Sequence, residues 1–124
     1  MNVVDSSAWL EFFAGSANGR LFRPIILDID RLLVPTIVVL EVLRNAYRQR
    51  GVGGAEEMEA ALVRGSVVPL SPALSMLAAR LGVEHRLPLA DSIVYATAVA
   101  HDAEVWTQDR DFEGLAGVHF FPKR

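Results

Sequence analysis

The chain has no cysteine among its 124 residues. Disulfide bonds, thiolate metal sites and cysteine nucleophiles are therefore excluded, and the composition is compatible with the reducing cytoplasm, which is the expected location. Histidine is scarce as well: His85, His101 and His119 lie far apart, without the i, i+4 spacing typical of a zinc site. We interpret these three residues as ordinary surface or loop histidines.

The sequence also lacks excess positive charge and long apolar runs. Its net charge of −3 argues against a broad electrostatic surface for nucleic acid, although a local basic rim around a metal ion is still compatible with it. Apolar runs such as Ile37–Leu40 fall far short of the roughly 18 residues that span a bilayer, so no membrane helix is expected. The N-terminus reaches Asp5 without a basic region, which argues against an export signal.

Short apolar strand candidates alternate with helical segments along the whole chain. The predicted strands are 2–4, 31–34, 66–70, 103–107 and 118–121. The predicted helices are 8–13, 21–29, 37–50, 55–64, 73–81 and 88–100, and a turn at 109–112 leads into a further short helix. Glycines are predicted to interrupt helices at 15–19, 51–54 and 82. This alternation predicts an α/β fold, an α/β/α sandwich with a mainly parallel five-stranded sheet, in a single domain of residues 1–124.

The helix that follows Pro88 is apolar on nearly every side, which is typical of a helix in the interior of a domain. Asp91 nevertheless lies in its first turn. The helix dipole stabilises an anion there by about 0.3–1 kcal/mol, whereas burial of an unpaired carboxylate costs several times more. A cation is therefore expected near Asp91, unless the residue is only a solvated first-turn acid.

Three further acids occupy comparable positions. Asp5 directly follows the first predicted strand, Asp109 follows the fourth, and Glu41 interrupts the apolar helix after the second. Ligands of open parallel sheets bind beyond the carboxyl ends of the strands, where the strand order reverses. If strands one and four are neighbours there, all of these acids meet at one edge. Taken singly, Asp5 could be only a helix cap, Glu41 a residue at the edge of its helix, and Asp109 and Asp111 only turn formers.

Four carboxylates at one edge of a sheet repel one another and take up protons unless a cation is present. A site made of oxygen ligands, without cysteine or paired histidine, selects a hard divalent ion, Mg²⁺ or Mn²⁺. Such ions commonly bind phosphate oxygens as well. The pattern therefore indicates a phosphodiester or phosphate ester substrate and activation of water for in-line attack.

Four segments resemble, in order, the motifs of the PIN-domain nucleases: residues 3–7, Glu41 within 37–42, residues 87–92 and residues 107–112. The match covers almost the whole chain, and its most specific part is the Leu-Ala-Asp helix followed by Thr-x-Asp-x-Asp-Phe. A free-standing domain of this length is most similar to the VapC toxins of bacterial and archaeal toxin–antitoxin pairs.

The resemblance implies a Mg²⁺- or Mn²⁺-dependent endoribonuclease whose substrate is RNA. It implies three direct metal ligands, Asp5, Asp91 and Asp109, with Glu41 acting directly or through water. It also implies a homodimer and a small VapB-like antitoxin whose C-terminal segment covers the site.

Several further residues lie close to these acids in the sequence. Under the same resemblance, Ser6 and Thr107 would contribute hydroxyls and Asp111 a fifth acid. The candidate RNA contacts, for which structural or solvated roles are equally compatible, are Arg44, Arg86 and Arg110.

Three other protein classes are alternatives to this interpretation. A phosphoacceptor receiver domain needs a lysine beside its acids, but the single lysine, Lys123, lies at the extreme C-terminal tail. A haloacid-type phosphatase needs Asp-x-Asp after its first strand, but Asp5 is followed by two serines. The third alternative is an inactive PIN-like module that binds RNA or protein. Its weakness is that a pure binding module has no reason to hold four like charges together.

Overall fold

A five-stranded sheet forms the centre of the computed structural model, which describes residues 1–124. Its strands are β1 (Asn2–Val4), β2 (Leu32–Pro35), β3 (Ser66–Val68), β4 (Glu104–Thr107) and β5 (Val118–Phe120). Every neighbouring pair is parallel, in the order β3-β2-β1-β4-β5. The prediction of a parallel five-stranded sheet is confirmed.

The helices pack on both sides of this sheet. They are α1 (Ser6–Ala14), α2 (Ala17–Leu27), α3 (Thr36–Leu62), α4 (Pro72–His85) and α5 (Leu89–Ala100), with short 3-10 turns at Ile29–Arg31 and Arg110–Phe112. Consecutive residues of β1 and β2 are buried, which requires cover on both faces and is typical of parallel sheets. None of the helices combines the length and the apolar character that crossing a membrane requires.

The strand order reverses between β1 and β4. From β1 the chain adds β2 and β3 on one side, then crosses back and adds β4 on the other side. The pairing register places Val4 beside Trp106, so β1 and β4 end at the same edge of the sheet. The backbone N–H of Asp5 donates to the carbonyl oxygen of Trp106 at 3.2 Å. The residues that follow these two strands are thereby brought together, as the sequence predicted.

The prediction of a loop at 51–54 is wrong. Only Gly51 leaves helical geometry, with φ 71° and ψ −166°, and the helix resumes directly after it. A positive φ of this kind is readily available to glycine alone, so Gly51 allows a sharp change of direction without a loop. The second segment stays helical because its apolar face, formed by Ala55, Met58 and Leu62, is buried.

Gly82 was predicted to end a helix, and this is also wrong. Helix α4 continues through Gly82 to His85 and ends at Arg86, whose φ of 56° is left-handed. A Cβ on Gly82 would collide with the hydroxyl of Ser92 in α5. The glycine therefore permits close packing of two helices rather than termination of one.

The second helix also begins earlier than predicted. Residues 15–19 were expected to break the chain and a helix to occupy 21–29, but α2 extends from Ala17 to Leu27. The Ser16 hydroxyl caps it by accepting a hydrogen bond from the backbone N–H of Gly19 at 3.1 Å. Pro24, expected near the start of this helix, lies inside it.

Candidate metal centre

Three aspartates form the tightest group of acids at the edge where β1 and β4 end. Carboxylate oxygens of Asp91, Asp109 and Asp111 all lie within 4.8 Å of one another. Asp91 comes from the first turn of α5, whereas the other two follow β4. Asp111, predicted only as an auxiliary acid, thus belongs to the closest set.

Asp5 lies beside this group and is only 3% exposed. Its pKa is raised to about 6, mainly by burial and to a smaller extent by the charge of Asp109. Hydrogen bonds from Ser7, Ala8 and Thr107 act in the opposite direction. The Ser7 hydroxyl is 2.9 Å from both carboxylate oxygens, and the Ala8 N–H donates to Oδ1 at 3.2 Å. Asp5 is therefore the cap of α1 and a member of the acid cluster at once.

The strongest electrostatic perturbation falls on Asp91. Burial, together with the charges of Asp109, Asp5, Asp111 and Glu41 in that order of size, raises its pKa to about 8. None of these five acids forms an ion pair with a lysine, arginine or histidine. The cation expected beside Asp91 is not supplied by any side chain, so the cluster holds an excess of negative charge.

The hydroxyl groups of Ser7 and Thr107 form hydrogen bonds with the aspartates that follow β1 and β4. Thr107 is fully buried, and its Oγ1 accepts a hydrogen bond from the backbone N–H of Asp109 at 2.9 Å. Ser6, the other predicted hydroxyl, makes no hydrogen bond with Asp5, whereas Ser7 does. Two adjacent serines follow Asp5 in the sequence. The geometry of the first turn of α1 determines that Ser7 is the one that faces the carboxylate.

Asp109 also has the local role that a turn former would have. Its Oδ1 accepts a hydrogen bond from the backbone N–H of Asp111 at 2.9 Å and caps the 3-10 turn. This bond draws the two residues together, which explains their close approach in the cluster. The turn-forming role and the membership of the acid cluster are thus compatible.

Of the three arginines predicted to contact RNA, Arg44 shares a cleft with an acid of the cluster. It lines a space of about 290 Å³ together with Glu41, a partly buried residue of α3. Arg110 pairs with Glu113 at 3.6 Å, and both side chains are largely exposed. Arg86 ends α4 in a left-handed conformation.

The donor set of the cluster fits a hard divalent cation. Its close ligand atoms are all carboxylate oxygens, and no imidazole or thiolate belongs to the group. A divalent ion would offset the repulsion that raises the pKa of Asp91, and oxygen ligands are those that such ions prefer. The arrangement can therefore hold a metal ion against a phosphate oxygen.

Several solved structures have folds similar to that of this chain. A toxin–antitoxin complex from Klebsiella pneumoniae has a TM-score of 0.85 at 21% identity, covering 99% of this chain and 100% of that chain. VapC20 from Mycobacterium tuberculosis, a sarcin–ricin loop cleaving toxin, has a TM-score of 0.77 at 18% identity, covering 95% of this chain and 97% of its own. DNA-bound VapBC from Salmonella typhimurium has a TM-score of 0.75 at 15% identity, with coverages of 98% and 96%.

At these identities the structural neighbours show the fold alone. A comparison with curated proteins finds no significant match. The family model described as PIN domain, however, matches residues 3–118, which include at least part of every strand and all five acids of the cluster. The chain therefore belongs to the PIN-domain family.

Proposed function

We propose that this PIN-domain chain is a divalent-metal-dependent endoribonuclease and the toxin of a type II toxin–antitoxin pair. The observation that supports it most directly is the cluster of acids that no side-chain cation neutralises. RNA as the substrate class is supported by the similarity to VapC20, a toxin that cleaves the sarcin–ricin loop. An antitoxin partner is supported by the similarity to toxin–antitoxin complexes.

Three aspartates are proposed as metal ligands: Asp5, Asp91 and Asp109. Glu41 completes the acidic set, directly or through water, and Mg²⁺ or Mn²⁺ is the proposed ion because all the ligands are oxygens. When bound, such an ion polarises a phosphodiester and lowers the pKa of water. Asp111 is an additional acid within reach of the same space.

The neighbouring residues orient these ligands. Ser7 and the Ala8 N–H hold the Asp5 carboxylate, and Thr107 holds the backbone of Asp109. These bonds limit the rotation of two ligands from neighbouring strand ends and keep them preorganised for a cation. Asp91, at the N-terminus of α5, is favourably placed for its charged form by the helix dipole.

We further propose that residues 1–124 act as a single PIN-like domain that forms a homodimer in the cytoplasm. A VapB-like antitoxin whose C-terminal segment covers the acid cluster would keep the enzyme inactive. Purification with and without a coexpressed antitoxin, followed by sizing, tests the assembly separately from the chemistry.

The chemistry is tested by incubating the purified chain with total bacterial RNA. Cleavage is expected with Mg²⁺ or Mn²⁺, is expected to stop on addition of EDTA, and should resume when the ion is added in excess. Cleavage that ignores the chelator contradicts metal dependence. RNA that is bound but stays intact with either ion would instead favour an inactive RNA-binding module.

A further inference from the structure

A polar groove lies beside the acid cluster, between α1 and α3. It consists of two clefts, of about 290 Å³ and about 740 Å³, which share Leu10 and Asn45 in their walls and are therefore adjacent. The smaller cleft contains Glu41, and the larger extends to Gln108 and the C-terminal tail. We name it the α1–α3 groove, and its main polar residues are Arg44, Asn45, Arg48, Gln49, Arg50 and Lys123.

This groove concentrates positive charge in a chain whose net charge is −3. It contains four of the 12 lysines and arginines of the chain: Arg44, Arg48, Arg50 and Lys123. None of the four forms an ion pair with an acidic side chain. Glu11 also lines the groove, but its carboxylate accepts hydrogen bonds from Ser16 and Gln108. The charge of Lys123 contributes to the lowered pKa of Glu11, so the three arginines are the cations available to an external anion.

The cations follow one another away from the acid cluster. Glu41, Arg44 and Arg48 are spaced i, i+3 and i+7 on α3, which places them on one face of the helix. A rise of 1.5 Å per residue separates the two arginines by about 6 Å along the axis. Arg50 lies on a different face of α3, immediately before the change of direction at Gly51, and lines the larger cleft. The second segment of α3 returns Met58 to the wall of the groove.

We propose that the α1–α3 groove binds the single-stranded RNA chain on one side of the phosphodiester that is cleaved. This inference rests on the proposed ribonuclease function and extends it to the path of the substrate. A row of unpaired cations that begins at the acid cluster matches a polyanionic backbone whose reacting phosphate lies at that cluster. The chemistry of the remaining walls favours RNA over an acidic peptide, because both the amides and an aromatic ring suit nucleotides.

Asn45 and Gln49 each offer amide donors and an acceptor, the groups that hydrogen-bond base edges and ribose hydroxyls. Phe13 also lines the groove and is held by stacking on Trp9, with ring centroids 5.7 Å apart. Aromatic rings of this kind stack on unpaired bases. An acidic peptide could use the cations and the amides, but it lacks the flat bases that stack on an aromatic ring.

The proposal is tested by RNA binding in an Asp91→Asn background, which separates binding from cleavage. Fluorescence anisotropy of a labelled mixed-sequence single-stranded RNA is measured between about 50 and 200 mM salt. Arg44→Gln with Arg48→Gln is expected to weaken binding about tenfold or more. It should also make the slope of log K against log salt shallower by about 1.4, since each phosphate contact on a single strand contributes about 0.7.

The matched control is Arg23→Gln with Arg64→Gln, which removes the same charge from exposed positions outside the groove. It should bind RNA like the parent, and Arg44→Lys with Arg48→Lys should restore most of the salt dependence. Equal weakening by the groove and control pairs overturns the proposal. So does a groove variant that binds RNA normally but no longer binds polyglutamate, a result that would assign the groove to an acidic protein.

Cleavage and binding measurements on these variants separate the proposed ribonuclease activity from the proposed role of the groove. If the unmodified chain cleaves no RNA while the groove variant loses RNA binding, the proposed enzyme activity fails and the groove stands. If the chain cleaves RNA, the groove variant without the Asp91 change should raise KM with kcat nearly unchanged, because the altered residues lie outside the acid cluster. A fall confined to kcat would count against a binding role.

Discussion

Two carboxylates near the end of β4 have opposite environments. Glu11 accepts hydrogen bonds from the Ser16 hydroxyl and, at 3.2 Å, from the Gln108 side chain, and these bonds lower its pKa. Asp91 accepts no side-chain or capping hydrogen bond, and burial together with neighbouring acids raises its pKa to about 8. A carboxylate with donors is satisfied by the protein, whereas one packed among other carboxylates takes up a proton unless an external cation binds.

The short segment after β4 contacts both the acid cluster and Glu11. Gln108 follows Thr107 and precedes Asp109, so its neighbours face the acid cluster while its own side chain faces Glu11. Its Oε1 accepts a hydrogen bond from Asn18 at 3.0 Å, and Asn18 also donates to the carbonyl oxygen of Pro122. This network orients the segment after β4 without a metal. The contrast between Glu11 and Asp91 can therefore be tested by matched substitutions.

The largest expected effect is on catalysis. Asp91→Asn should reduce RNA cleavage by more than about 100-fold, the upper range seen when even an outer partner of a metal ligand is lost. At saturating RNA, Glu11→Gln should retain activity within a few-fold, because Glu11 lines the α1–α3 groove but lies outside the acid cluster. The measurement is the initial cleavage rate with saturating Mn²⁺, and circular dichroism verifies that both variants are folded. Undiminished cleavage by folded Asp91→Asn would refute the assignment.

A smaller effect is expected on stability in the presence of metal. An ion that binds only the folded chain stabilises it by about 2.7 kcal/mol at 100 times its dissociation constant. Thermal unfolding should therefore shift upwards with Mg²⁺ or Mn²⁺ for the unmodified chain and for Glu11→Gln. The shift should largely disappear in Asp91→Asn. An equal shift in all three proteins would place the metal elsewhere.

The smallest expected effect is on the pH dependence of stability without metal. The pKa of Asp91 is raised from 3.8 to about 8, and that of Asp5 from 3.8 to about 6. Between pH 3.8 and these raised values, the folded chain therefore binds more protons than the unfolded chain. Their contribution is fully present below about pH 4 and is lost as the pH rises through 6 and then 8. The melting temperature should fall by about 4 °C or more between about pH 5 and pH 8.5.

The same two substitutions test whether Asp91 causes this pH dependence of stability. Asp91→Asn should flatten the fall, whereas Glu11→Gln should leave it unchanged, because the pKa of Glu11 is lowered and its contribution is lost only at acid pH. A saturating divalent ion should also suppress the fall, since it favours ionised ligands. A melting temperature that stays level across this range would contradict the repulsion assigned to the cluster.

The position of the cluster was predictable because it depends on chain topology. Asp5 and Asp109 follow strands, and parallel strands end at a common edge, so their meeting required only that β1 and β4 be neighbours. The roles of Ser7 and Gln108 were not predictable in this way. Which of two adjacent serines faces a carboxylate depends on the start of α1, and the partner of Gln108 lies 97 residues away at Glu11.

The roles of two glycines were also not predictable from local sequence. Gly51 and Gly82 both match the local pattern of a helix end, yet only one of them interrupts a helix. Gly82 is explained by the approach of Ser92 from another helix, a contact that no local window of sequence contains. Local propensity is a weak guide wherever tertiary packing supplies more free energy than the residue's own preference.

The sequence by itself determined the alternation of strands and helices and the acids that follow the strands, because both are local patterns repeated at regular spacing. Only the tertiary structure decided which carboxylates lie together, which hydroxyls orient them and where the cations of the α1–α3 groove lie. Those properties depend on distances between distant segments, and such distances are set by how the helices pack on the sheet.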